Sequence, residues 1–191
     1  MTPALLARSG EEAIPHDRCG QPRSLEFVAL PGTPFRLHDC SRDGAATICR
    51  VTTDAYGTPK GKALYLDASF LSPVLEQPPA RRPALPSREE LLRRLEGRGG
   101  TPYVWGGNVE PGVRSLNGPA FRGVDCSGLL YEATDGFTPR NTSELVRFGR
   151  GVRVAGLSAA ALAAELRPLD LLVWDGHVII VLDGGRTIVF G

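Results

Sequence analysis

The chain has 191 residues, a mass of 20.4 kDa, 42% hydrophobic and 23% charged residues, and a formal net charge of +1. That length suits one ordinary domain or two small ones, and the balanced charge lacks the positive field that nucleic acid or an anionic membrane requires. No apolar run approaches the ~20 residues of a membrane span, so neither nucleic acid nor a membrane span is expected among the partners.

The first twenty residues, MTPALLARSGEEAIPHDRCG, combine no basic n-region with a sustained apolar h-region. No signal peptide is expected from them, and a cytoplasmic location is the expectation, with action on the cell envelope left open. Next come short runs rich in β-branched and aromatic residues, at 24–30, 34–38, 46–53 and 62–70, punctuated by Pro-Gly, Asp-Gly and Gly-Thr-Pro. Such spacing predicts a small all-β barrel or sandwich over residues 1–77. Cys40 and Cys49 flank an Asp43-Gly44 turn signal and could face each other across a hairpin. Without an export signal they are expected to be reduced thiols. His16 and His38 read as surface or turn residues.

Proline-dense QPPARRPALP closes this part, and residues 78–86 are read as a semi-rigid linker. Beyond it the texture changes to helical. Ser87-Arg88-Glu89-Glu90 has the form of a capping box, and Leu91, Leu92 and Leu95 follow at helical spacing. A Gly-rich stretch, 97–108, precedes a second helix expected to begin near Cys126. An Ala-rich run at 157–166 predicts a third helix ending before Pro168. Strands are expected at 170–174, 177–182 and 186–190, the last two joined by Asp183-Gly184-Gly185. Helices followed by consecutive strands make residues 87–191 an α+β domain with an antiparallel sheet.

No Cys-x-x-Cys occurs, and only His16, His38 and His177 supply imidazoles, so neither a zinc site nor another cofactor is expected. Cys126 is the candidate nucleophile. A single cysteine is most often an inert buried residue, but Val124-Asp125-Cys126-Ser127-Gly128 before Leu129-Leu130-Tyr131 puts this one in the first turn of a helix. Free amides and the positive end of the helix dipole favour a thiolate there, lowering its pKa. His177 follows an Asp175-Gly176 turn and opens a strand, which makes it the candidate base. Amides at the start of the Cys126 helix could supply an oxyanion hole.

Five blocks in this order resemble the NlpC/P60 cysteine peptidases. They are Thr101-Pro102-Tyr103-Val104-Trp105-Gly106-Gly107, Asp125-Cys126-Ser127-Gly128, Pro139-Arg140-Asn141-Thr142-Ser143, 166–172 with its Pro168-Leu169-Asp170, and Gly176-His177-Val178 with Asp183-Gly184. The resemblance covers residues 87–191 and implies a papain-like fold. It implies hydrolysis of peptidoglycan stem peptides or muropeptides, commonly between γ-D-glutamate and a diamino acid. It makes Cys126 the nucleophile and His177 the general base, sets Tyr103 beside the nucleophile to assist oxyanion or substrate, and lets Asp125 and Ser127 line the place of the substrate's amino end. A bacterial SH3-like domain is a frequent companion in this family, and residues 1–77 look like one.

The family's third polar residue, which orients the imidazole, would fall about twelve positions after His177, on Val189, and no His, Asn or Gln follows His177. An orienting residue past Gly191, a backbone carbonyl or water in its place, and a loss of activity are the three readings of that departure. The alternative function is accordingly a non-catalytic binder of peptidoglycan peptides. A further enzyme reading keeps the Cys–His pair for acyl transfer to another amine.

Overall fold

The computed structural model describes residues 16–44, 46–74, 82–115, 118–183 and 186–188. In chain order, β1 (Arg36–Asp43), β2 (Ala46–Thr52) and β3 (Leu64–Asp67) come first, and a 3-10 turn at Ala68–Phe70 follows them. Then come α1 (Arg88–Glu96), β4 (Asn108–Val109), β5 (Val113–Ser115), β6 (Gly118–Ala120), β7 (Gly123–Val124), α2 (Cys126–Ala133), α3 (Thr142–Leu145) and α4 (Ala159–Glu165). The last elements are β8 (Leu171–Trp174), β9 (His177–Asp183) and β10 (Arg186–Ile188). Mixed helix and antiparallel sheet is therefore the fold class. Residues 78–81 of the expected linker and the Gly184-Gly185 turn lie outside the described residues.

The N-terminal sheet has the order β1-β2-β3 and is antiparallel throughout. Among the described residues it does not close into the expected barrel. The missing staves include residues 24–30, which carry a strand-like pattern but join no ladder. Their backbone groups have gone elsewhere: the Asn108 carboxamide accepts from the Val28 N–H at 2.8 Å and donates to the Val28 C=O at 2.8 Å. One buried side chain thus stands in for a neighbouring strand, because buried peptide groups must be paired. Beneath the sheet Cys49, Val51, Tyr56 and Leu64 form a small core, with Phe27 stacked on Tyr56 at 4.6 Å between centroids. The expectation that Cys40 and Cys49 are free thiols is corrected. They lie directly opposite each other in the β1–β2 register and form a disulfide.

The second half is built around α2. Seven of its eight residues are buried, Glu132 being the exception, so this helix is a core element rather than an amphipathic cover. Leu91 and Leu95 of α1 pack on it from one side, and Val178, Ile180 and Leu182 of β9 from another. Their spacing of two is that of a strand facing a core. The β10-β9-β8 sheet has Leu171 opposite Ile180 and Trp174 opposite His177, and Gly176 at φ 94° closes the two-residue connection between β8 and β9.

Helix starts follow local chemistry. Ser87 caps α1 by accepting from the Glu90 N–H at 3.2 Å. The reciprocal arm of the expected capping box is not made: the Glu90 carboxylate binds Arg93 and Arg94 instead, which holds it at about 2. Ser158 caps α4 in the same way. That helix is shorter than the 157–166 run and buries none of its residues, so its alanines reflect propensity rather than packing.

Candidate active site

Asp125 starts the site. Its backbone is extended, and its Oδ1 accepts from the Gly128 N–H at 2.6 Å, which caps α2 and fixes Cys126 as the first helical residue. The loop ahead of it is bound equally tightly. Asp125 Oδ2 accepts from the Gly106 N–H at 3.0 Å, and the Asp125 N–H donates to the Gly107 carbonyl at 2.9 Å. A Cβ on Gly128 would overlap that same Gly107 carbonyl, so glycine is required where the helix meets the loop. Tyr103 forms a parallel bridge with Val124, the residue immediately before Asp125.

Cys126 is buried, and its sulfur faces the backbone amides of Val178 and Ser127. The expectation of a lowered thiol pKa is corrected, because burial pushes it up and the Asp125 carboxylate adds to the rise. The Val178 and Ser127 amides and the Arg140 charge oppose this without overcoming it. Magnitudes explain the order: a helix terminus contributes about 0.3–1 kcal/mol, whereas full burial moves an ionisable group by as much as 3–5 units. Tyr103, half-buried, has its phenol raised by burial first and then by the charges of Asp125 and Cys126.

His177 is next to the Val178 amide that faces the thiol, so the hairpin brings the candidate base and the candidate nucleophile onto adjoining elements. Its ring lies 5.1 Å from that of Trp174. Among the described residues no hydrogen bond joins the imidazole to Cys126. Val189, where a third catalytic residue would fall, is outside the described residues.

Arg140 is the residue that the sequence reading left without a role. Almost fully buried, it donates from Nη1 to Asp125 Oδ1 at 2.9 Å and from Nη2 to Asp125 Oδ2 at 2.7 Å. It also donates to Ser127 Oγ at 2.9 Å, the Gly107 carbonyl at 3.1 Å and Asn108 Oδ1 at 3.3 Å. The Asp125 carboxylate assigned to a substrate ammonium group is therefore already neutralised by an internal cation. Its neighbours extend the pattern. Asn141 donates to the Gly57 carbonyl at 3.1 Å, and Thr142 Oγ1 accepts from the Gly176 N–H at 3.0 Å. Three consecutive side chains thus tie the α2 start, the N-terminal module and the His177 hairpin together. An aspartate at an apolar helix start needs a buried partner, which arginine supplies bidentately, but nothing in the sequence singles out Arg140 for that place.

The N-terminal segment also reaches the site. Gln21 Oε1 accepts from the Trp105 N–H at 2.9 Å, and the Arg23 guanidinium lies 4.3 Å over the Trp105 ring. No cluster of three or more His, Cys, Asp or Glu suited to a metal ion occurs among the described residues, and no described helix is long and apolar enough to cross a membrane. A search for relatives finds no matching family model, curated protein or solved structure.

Proposed function

We propose that the chain is a cysteine peptidase that hydrolyses peptidoglycan-derived peptides at the γ-D-glutamyl–diamino acid bond. The observation that carries this reading is the seat of Cys126: first residue of a capped, buried helix, its sulfur against the Val178 amide, with His177 beside that amide. The five sequence blocks support it, as does the convergence of four of them on this point. A papain-like peptidase domain and an SH3-like module are the finer fold assignments that go with it.

In the proposed reaction the Cys126 sulfur attacks the amide carbon while its proton passes to His177. The Cys126 amide and the Tyr103 hydroxyl would hold the oxyanion. His177 then protonates the departing amine, and water, losing its proton to the same ring, cleaves the thioester and restores the thiol. Because Asp125 is held by Arg140, a substrate's amino group would meet a neutralised pair rather than a bare carboxylate. A cytoplasmic place of action requires the Cys40–Cys49 bond to open, since reducing surroundings keep thiols free. That bond favours the envelope.

Purified protein should release the diamino acid from L-Ala-γ-D-Glu-diaminopimelate, and Cys126→Ala should abolish the product peak in mass spectrometry. Identical traces from the two proteins would end the peptidase reading. The second reading, a non-catalytic peptide binder, is favoured by the raised thiol and by an imidazole whose described ring contact is Trp174. Calorimetric binding of the tripeptide without turnover would establish it.

A further inference from the structure

Arg23 is held on two sides. Its Nε donates to Asp17 Oδ2 at 2.6 Å, and its planar face covers Trp105 at 4.3 Å. Those two contacts fix the plane of the guanidinium. Among the described residues its terminal Nη1 and Nη2 have no acceptor, and the side chain is 49% exposed. Asp17 does not saturate it, because its other oxygen is taken by the Cys19 and Gln21 amides. The location is defined by a short chain of contacts. Trp105 precedes Gly106, whose N–H binds Asp125, and Asp125 precedes Cys126. An oriented cation with a free fork therefore stands over the loop that binds the nucleophile's cap. Its charge is felt at Tyr103, as are those of Asp125 and Cys126.

A γ-linked glutamyl residue keeps its α-carboxylate free, three carbons from the carbonyl that would be attacked. Arg140, the buried cation of the site, has no capacity left for it. We infer that Arg23 is a specificity-determining residue whose free guanidinium edge binds the free α-carboxylate of the substrate's γ-linked glutamyl residue. This rests on the peptidase reading and deepens it: the N-terminal segment would supply the substrate's acidic anchor, and Trp105 would hold that anchor flat.

Two peptides separate the alternatives, L-Ala-γ-D-Glu-diaminopimelate and the same peptide with the glutamyl α-carboxyl converted to its amide. Wild type should prefer the free acid by about tenfold in kcat/KM, the weak end of a charge-assisted hydrogen bond given the exposure of the site. In Arg23→Gln the ratio of the two kcat/KM values should fall towards one, and Arg23→Lys should restore part of it. Raised salt should reduce the wild-type ratio. If Arg23→Gln keeps the wild-type ratio, or if wild type does not discriminate, the inference is overturned while the peptidase reading stands. If wild type cuts neither peptide, both fall.

Discussion

At Cys126 two effects of position oppose each other, and burial prevails over the helix terminus. The resting sulfur at neutral pH is thus a thiol, and in the proposed reaction its ionisation would accompany substrate binding or proton removal by His177. A measurable consequence follows for the chemistry of the free protein. With Cys19, the exposed free thiol, replaced by serine, the rate of iodoacetamide modification of Cys126 should rise with pH and reach half its maximum above the ordinary thiol value of 9.0. An inflection near 6 would instead indicate a preformed thiolate–imidazolium pair. Stability has the matching sign. A folded pKa above the unfolded one favours the protonated native state, so the contribution is complete below the ordinary thiol value and is lost as pH rises through the higher folded one. Glu132 behaves likewise among the carboxyls: burial raises it, and its Oε2 has no hydrogen-bond partner among the described residues.

Elements meet at this site through carbonyls and glycines more than through side-chain volume. The Gly107 carbonyl receives the Asp125 amide and the Arg140 guanidinium, and the missing Cβ of Gly128 gives it room. The segment from Arg140 to Thr142 works as a strut between α2, the hairpin and the first module. Arg140→Met should cost about 3–5 kcal/mol in urea denaturation, because Asp125 would be left charged, buried and without its cation. A loss below 1 kcal/mol would mean that water reaches the carboxylate. Much of this level was legible beforehand. Cys126 in the first turn of a helix and Asp175-Gly176 as a turn before a strand are local signals carried by neighbouring residues, whereas Asp125, expected at the substrate's amino end, is the helix cap. Arg140 was not legible, since its partners lie 13 to 33 positions away and nothing local distinguishes a buried arginine from a surface one. The expected fall in the Cys126 pKa failed for the same reason: burial is a property of packing, which a motif does not contain.

Across the molecule the two parts divided by the proline-rich stretch are joined at the site itself. Gln21, Leu25 and Val28 run along Trp105, Gly106 and Asn108: Gln21 and Val28 are hydrogen-bonded to the first and last, and Leu25 is packed where any Cβ on Gly106 would collide with its carbonyl. Asn108→Ala removes both Val28 bonds and one Arg140 bond, a cost of about 2–5 kcal/mol. Hydrogen exchange should register it unevenly, with the Val28 amide losing protection and those of α2 keeping most of theirs. Uniform loss would show that the halves unfold as one unit. The barrel expected from strand patterns failed at this seam, where residues 24–30 spend their hydrogen bonds on a side chain from the other half. The seam also has a genetic corollary. Three residues of one strip, spread over eight positions, are matched to three of the other, spread over four, much as a vernier is read against its scale. Lengthening the strip by one residue between Gln21 and Val28 shifts Arg23 off the indole or Val28 off the carboxamide. That short interval should therefore tolerate exchange of side chains far better than any change in its length.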